Sequence, residues 1–250
     1  MIEAFEAITA GQLALLWSVV IGASILRAFT GFGFGLAAVP VFSLFMAPSQ
    51  AVVLGSLLVL MISLTTWRTF WGDYPVRQLT PLLLASLLGT AVGAAVLTMI
   101  SVQQFQLWIG LTVIILSLSL AVYKPARRQA GGLLSSFTGL VSGLMNGAFA
   151  IPGPPIIIYA MATETEPRRS RALMMTFFLF SAVTALAIYA IAGFFTRATW
   201  LYLLLALPAV FLGDKLGYGL FKRFGNALYR RVALLLLLAI GAAITLQALA

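Results

Sequence analysis

The apolar residues of this chain come in long blocks, VVLGSLLVLMISL and ALLLLLAIGAAITL among them, parted by short polar breaks. A water-soluble fold cannot hide such stretches end to end. A bilayer requires them, because in hydrocarbon the backbone has no water to bond and must satisfy itself within helices. Composition agrees: 62% of the 250 residues are hydrophobic and 8% charged, against roughly a quarter charged in an ordinary soluble domain. The expected fold is an all-α polytopic membrane protein.

Ten hydrophobic segments lie between the polar breaks, at roughly 12–29, 33–47, 50–70, 79–100, 103–123, 132–148, 151–162, 171–193, 198–221 and 227–249. The second segment of each half, 33–47 and 151–162, is flanked by Gly and Pro and falls below the roughly 20 residues that a straight span needs. Each is therefore expected to be a broken or re-entrant helix, leaving about eight full transmembrane helices. The N-terminal MIEAFEAITA carries two acids and no Lys or Arg. It lacks the basic region of a cleaved secretory signal, so the first block is expected to persist as a span.

Charge sets the orientation. If all ten segments reverse the chain, fourteen of the fifteen Lys and Arg fall on one side, including KPARR at 124–128, and only Arg197 falls on the other. Cytoplasmic loops collect Lys and Arg, so the crowded side is expected to be cytoplasmic and both termini to lie outside. The net charge of +9 is thereby accounted for by residues that meet anionic headgroups. No continuous basic surface remains to follow a phosphate backbone, which excludes nucleic acid as a partner.

The two halves repeat one order of features. LLGTAVGAAVLTMISVQQFQLW at 87–108 aligns with FLGDKLGYGLFKRFGNALYRRV at 211–232, each holding a Gly-x-x-x-Gly step, Gly89 with Gly93 and Gly213 with Gly217. Upstream, TGFGFGLAAVPVFSLF at 30–45 corresponds to NGAFAIPGPPIIIYAM at 146–161. With five reversals per half the second copy enters the membrane from the opposite face, and the matching turns differ in charge as that requires. The organisation is two inverted-topology repeats, 1–123 and 131–250, joined by a basic cytoplasmic linker at 124–130. Secondary transporters that work by alternating access share this design.

Cysteine and histidine are absent, which excludes disulfides, thiol catalysis and the common transition-metal sites. No cofactor and no metal is expected. The acids lie at ends or in loops except Asp214, which with Lys215 sits near the inner end of its segment and reads as partly hydrated. No pair of nucleophile and base can be assembled within the membrane, so an enzyme is not expected.

The two helix breaks carry the candidate site. Irregular backbone at membrane depth is tolerated only against protein or a wet cavity, and a helix start presents unpaired N–H groups that favour an anion. The candidates are Arg27, Thr30, Gly31, Gly33 and Gly35 at the first break, and Asn146, Gly147, Pro152, Gly153, Pro154, Pro155 and Tyr159 at the second. Arg27 and the polar side chains would supply charge and directional hydrogen bonds to an oxyanion. Phe32, Phe34 and Phe149 read as packing.

These motifs resemble the TauE/SafE family of sulfite and organosulfonate exporters over nearly the whole length. The resemblance rests on RAFTGFGFGLAAVPVF, GLVSGLMNGAFAIPGPPIIIY, the following RRSRA, and GDKLGYGLFKRFGNALYRRV. It implies a secondary transporter that moves a small anion (sulfite, an organosulfonate or a small carboxylate) out across the bacterial inner membrane. Import of such an anion and a non-transporting membrane scaffold are the alternatives. The implied partners are the anion and membrane lipids, with a homodimer left open. Many relatives carry a glycine-rich GxGGG-like stretch in both halves, whereas the second copy here reads AIPGPP, which leaves a substrate other than sulfite open.

Overall fold

The computed structural model describes residues 10–30, 33–122, 129–224 and 226–249, without the side chains of residues 10, 29–30, 221–224 and 226–231. Its described residues form helices and no strands: α1 (Ala10–Thr30), α2 (Phe34–Phe42), α3 (Pro48–Thr66), α4 (Val76–Met99), α5 (Val102–Val122), α6 (Gly132–Phe149), α7 (Gly153–Thr163), α8 (Pro167–Ile191), α9 (Arg197–Phe224) and α10 (Asn226–Leu249), with a 3-10 turn at Trp67–Thr69. Each of the ten apolar segments holds one of these helices. Most of the 124–130 linker lies outside the described residues.

Seven helices among the described residues, α1, α3, α4, α5, α8, α9 and α10, are long and apolar enough to cross a membrane. That is one fewer than the eight expected. α6 reaches 18 residues, but its Gly, Ser, Thr and Asn dilute its apolar character. Those small residues have a packing role. The missing side chains of Gly139, Gly143 and Gly147 let α6 lie with its backbone against Leu82, Ser86 and Thr90 of α4, while Gly89 and Gly93 of α4 accept the backbone of Leu140 and Leu144 in return. Lipid gives helices no hydrophobic reason to associate, so close backbone approach of this kind is what binds them.

Those contacts also give direction. Along α4 and α6 the partners rise together, so the two helices are parallel; the same holds for α1 and α9, where Gly213 sits on Ile21 and Ser24 and Gly217 on Ile25 and Ala28. α5 and α10 are antiparallel, since Gly110 meets Gly241 and Thr245 while Gln103 donates to the carbonyl of Ala248 at 2.8 Å. α3 and α8 are antiparallel too: the start of α3 reaches the turn after α8 through Gln50 and Thr196 (3.2 Å), and Ile62 and Ser63 near the end of α3 line one cavity with Met175 and Phe178 near the start of α8.

With tight connections between α3 and α4, α4 and α5, and α9 and α10, the helices α1, α3, α5 and α9 run one way and α4, α6, α8 and α10 the other. One end of the bundle thus carries Arg27, Arg68, Arg77, Arg168, Arg169, Arg171 and Lys215, and the opposite end carries Arg197. The first of these ends is tied by polar contacts. Arg168 grips Asp73 through two hydrogen bonds (2.9 and 3.0 Å), Arg169 pairs with Glu164 (3.4 Å), and Tyr74 donates to Glu164 (3.2 Å). Burial and the Glu164 charge hold the Tyr74 phenol above its ordinary titration range, so it stays a donor. Outward faces expose Leu88, Ile115, Leu204 and Leu235, which lipid solvates and water would not.

The short helices start where special backbone is needed. Gly33 caps α2 at φ 99, in the left-handed region that glycine enters without cost. α6 ends at Ala150, also left-handed at φ 54; it is the one non-glycine residue with positive φ among the described residues. Its N–H reaches the Asn146 carbonyl at 2.7 Å and the Ile151 N–H reaches Met145 at 3.3 Å, which closes the last turn of α6 in the manner of a glycine cap. Pro154 and Pro155 then occupy the first turn of α7, where a proline loses no helix bond.

Candidate functional site

The starts of α2 and α7 meet. A β-carbon placed on Gly35 would lie 2.6 Å from the Ala150 carbonyl oxygen, so the first break is seated directly on the second. Between them lies a cavity of about 60 Å³, room for about four water-sized particles. Gly33, Phe34 and Gly35 form one wall and Ala150, Ile151, Pro152 and Gly153 another; Arg27 of α1, Ser63 and Thr66 of α3, Phe70, and Met175 and Phe178 of α8 complete it. Arg27, Thr66 and Phe70 lie on its side toward the basic end of the bundle. On the side toward the other end Val39, Phe42, Phe149 and Tyr189 are all buried.

Donors to an anion come mainly from α2. The N–H groups of Phe34, Gly35 and Leu36 belong to its first turn and have no carbonyl within the helix to bond; Ala37 is the first to do so, reaching Gly33 at 3.1 Å. α7 is poorer, because Pro154 and Pro155 carry no N–H at all. Proline at these two positions therefore leaves α7 with fewer first-turn donors than α2.

Arg27 lines the cavity but is not a free cation. Its Nη1 donates to both carboxylate oxygens of Asp214 at 3.1 Å, and the arginine side chain is 13% exposed against 30% for the acid. The pair joins α1 to α9. Asp214, expected to be partly hydrated, keeps 30% of its side chain exposed and is also held by a partner 187 residues away.

The other expected residues separate into three groups. Gly33, Gly35, Pro152 and Gly153 line the cavity with Arg27. Gly31 lies outside the described residues, as does the side chain of Thr30. Asn146, Gly147, Pro154, Pro155 and Tyr159 are not in the wall. The Asn146 amide donates to the Ser181 carbonyl (3.0 Å), and the Tyr189 hydroxyl donates to the carbonyls of Asn146 (2.7 Å) and Gly147 (3.0 Å). These bonds brace the end of α6 against α8 from behind. Gly147 packs on Thr90, and the Tyr159 hydroxyl meets Ser135 at 2.8 Å in a separate buried cluster with Leu82 and Phe177. Sequence reasoning passed over Ser63, Thr66, Phe70, Met175 and Phe178, which sit in ordinary apolar segments with no local mark of a site.

A family model described as Sulfite exporter TauE/SafE matches residues 15–244. The chain belongs to the TauE/SafE family. TauE/SafE proteins are membrane transporters and not enzymes, and the seven apolar helices make this member a multi-pass membrane protein. It is 28% identical over 227 residues to the "Probable sulfite/organosulfonate exporter TauE" of Cupriavidus necator, a match covering 88% of each chain. It is 24% identical over 177 residues to the "Probable membrane transporter protein YunE" of Bacillus subtilis, covering 61% of this chain and 64% of that one. No solved structure matches the chain at a significant level.

Proposed function

We propose that this TauE/SafE protein is a secondary transporter that carries a small oxyanion (sulfite, an organosulfonate or a small carboxylate) out across the bacterial inner membrane, by alternating access of two inverted repeats. One observation carries the reading: the helix breaks of the two halves converge on a single cavity, which presents helix-start N–H groups and an arginine to whatever enters. Backbone donors and a guanidinium suit an oxyanion, and the cavity volume suits one of a few heavy atoms.

The repeat reading is supported by helix direction. Pairing each of α1 to α5 with its counterpart five helices later makes α5 answer to α10 and α3 to α8, and both pairs run antiparallel, as an inverted copy requires. The parallel contact of α4 with α6 answers to that of α9 with α1. The breaks belong to opposite repeats, so rocking one repeat on the other would move the two walls of the cavity against each other and change which face it opens to. Export is supported by the name of the Cupriavidus necator relative, and a cytoplasmic approach to the site by the crowding of basic residues at the end nearest the cavity.

Counterflow in proteoliposomes tests the proposal. Vesicles preloaded with unlabelled sulfite, methanesulfonate or acetate should accelerate entry of the labelled anion in a saturable manner. Absence of saturable flux for every anion of such a panel refutes it.

A further inference from the structure

The Arg27–Asp214 pair raises a question of charge that rests on the anion-carrier reading. Arg27 forms part of the cavity wall, yet it arrives there already neutralised by a carboxylate on another helix. Only Nη1 is engaged by Asp214. A guanidinium has five N–H donors, so Nε and Nη2 lie outside the Asp214 contact and could donate to a second anion while the first is held. An occupied cavity then holds two anions on one cation, in a partly buried place where like charges screen each other poorly.

Few of the described side chains beside the pair carry charge. α3 carries no ionisable side chain along its length, nor do α2 and α10 beyond residue 231; Lys222 and Arg223 of α9 and Tyr229 of α10 lie outside the described side chains. On α9 itself Lys215 is the sequence neighbour of Asp214 and Tyr218 lies one turn on, while from α8 Arg171 acts on Arg27 through space. Arg230 and Arg231 of α10 are outside the described side chains. Two carboxyl-like groups sharing one site relieve their repulsion by binding one proton between them.

We propose that Asp214 is the proton-coupling residue of this transporter: an anion bound at Arg27 draws one proton onto the Asp214 carboxylate, and both leave when the site empties. The step is balanced. A monovalent anion and a proton enter, the Asp214 carboxylate becomes a carboxylic acid, and the net charge of the site is unchanged from its empty state. Nothing is oxidised and no covalent bond is made beyond O–H. Asp214 acts here through Arg27 as a positioning and coupling group, while Arg27 touches the anion.

The full-length protein in detergent, in weakly buffered solution, tests this with methanesulfonate, formate and acetate, anions whose own charge is constant between about pH 6 and 8. Isothermal titration reports affinity and an indicator dye reports proton uptake. Wild type should take up close to one proton per bound anion, and its affinity should fall about tenfold for each pH unit of rise. Asp214→Asn should bind more tightly, with no proton uptake and no pH dependence. Binding by wild type without proton uptake overturns the proposal, and needs no variant to be folded; so does a pH-dependent Asp214→Asn protein. Failure of wild type to bind any of these anions overturns the anion-carrier reading itself, and the coupling with it.

Discussion

Replacing Gly35 with alanine should separate the two helix breaks. The added β-carbon would stand 2.6 Å from the Ala150 carbonyl oxygen, about 0.8 Å short of the 3.4 Å at which ordinary contact begins. Neither neighbour can give way by rotating a side chain, because the obstacle is backbone and Ala150 already sits in the left-handed region. The start of α2 must therefore move by most of that distance. Overpacking of this size costs about 1–3 kcal/mol, and a shift approaching 1 Å in groups that position a ligand costs about tenfold to a hundredfold in their effect. Gly22→Ala provides the control, since nothing lies within 4 Å of its β-position; it should raise stability by about 0.5–1 kcal/mol, the usual gain in a helix interior. Thermal unfolding in detergent, followed by tryptophan fluorescence, reads stability, and counterflow reads transport. Gly35→Ala should melt several degrees lower and lose most of its flux, with Gly22→Ala melting no lower than wild type and matching it in flux. A Gly35→Ala protein with unchanged melting and flux would show that the two breaks do not touch.

Ala150→Gly should act in the opposite sense, raising stability by about 1 kcal/mol as the left-handed cap loses its side-chain penalty; a lower melting temperature would refute the cap geometry. Gly143→Ala pushes a β-carbon into the Ser86 backbone, and should cost about 3 kcal/mol or more and sharply reduce the yield of folded protein. Normal yield and melting would mean that α4 and α6 do not pack backbone to backbone. The chain has no cysteine, so single substitutions report sidedness directly: Arg197→Cys should react with an impermeant maleimide from outside intact cells and Arg77→Cys only after permeabilisation. Labelling of both from one face would break the arrangement.

Much of the site could be read before any coordinates because its backbone is irregular, and irregular backbone in a membrane chain is written in Gly and Pro. Gly33, Gly35, Pro152 and Gly153 announced themselves in this way and do line the cavity. Asn146 and Tyr159 drew notice as polar groups near a break, but one or two residues along a helix are enough to turn a side chain away from a neighbouring wall. Their partners, Ser181 and Ser135, lie 35 and 24 residues away. Ser63, Thr66, Met175 and Phe178 carried no such mark, since a residue on an apolar helix becomes part of a site only through what packs opposite it.

By itself the sequence determined the solvent, the helices and their order. Block length and the rarity of charge require a bilayer, Gly and Pro mark where spans must break, and the distribution of Lys and Arg orders the ends. Tertiary structure decided which breaks face each other and which charges are compensated. Ala150 meeting Gly35, and Asp214 reaching Arg27 across 187 residues, depend on helices packing side by side. Local sequence governs the backbone of each helix, but the pairing of helices depends on small faces from distant segments fitting together.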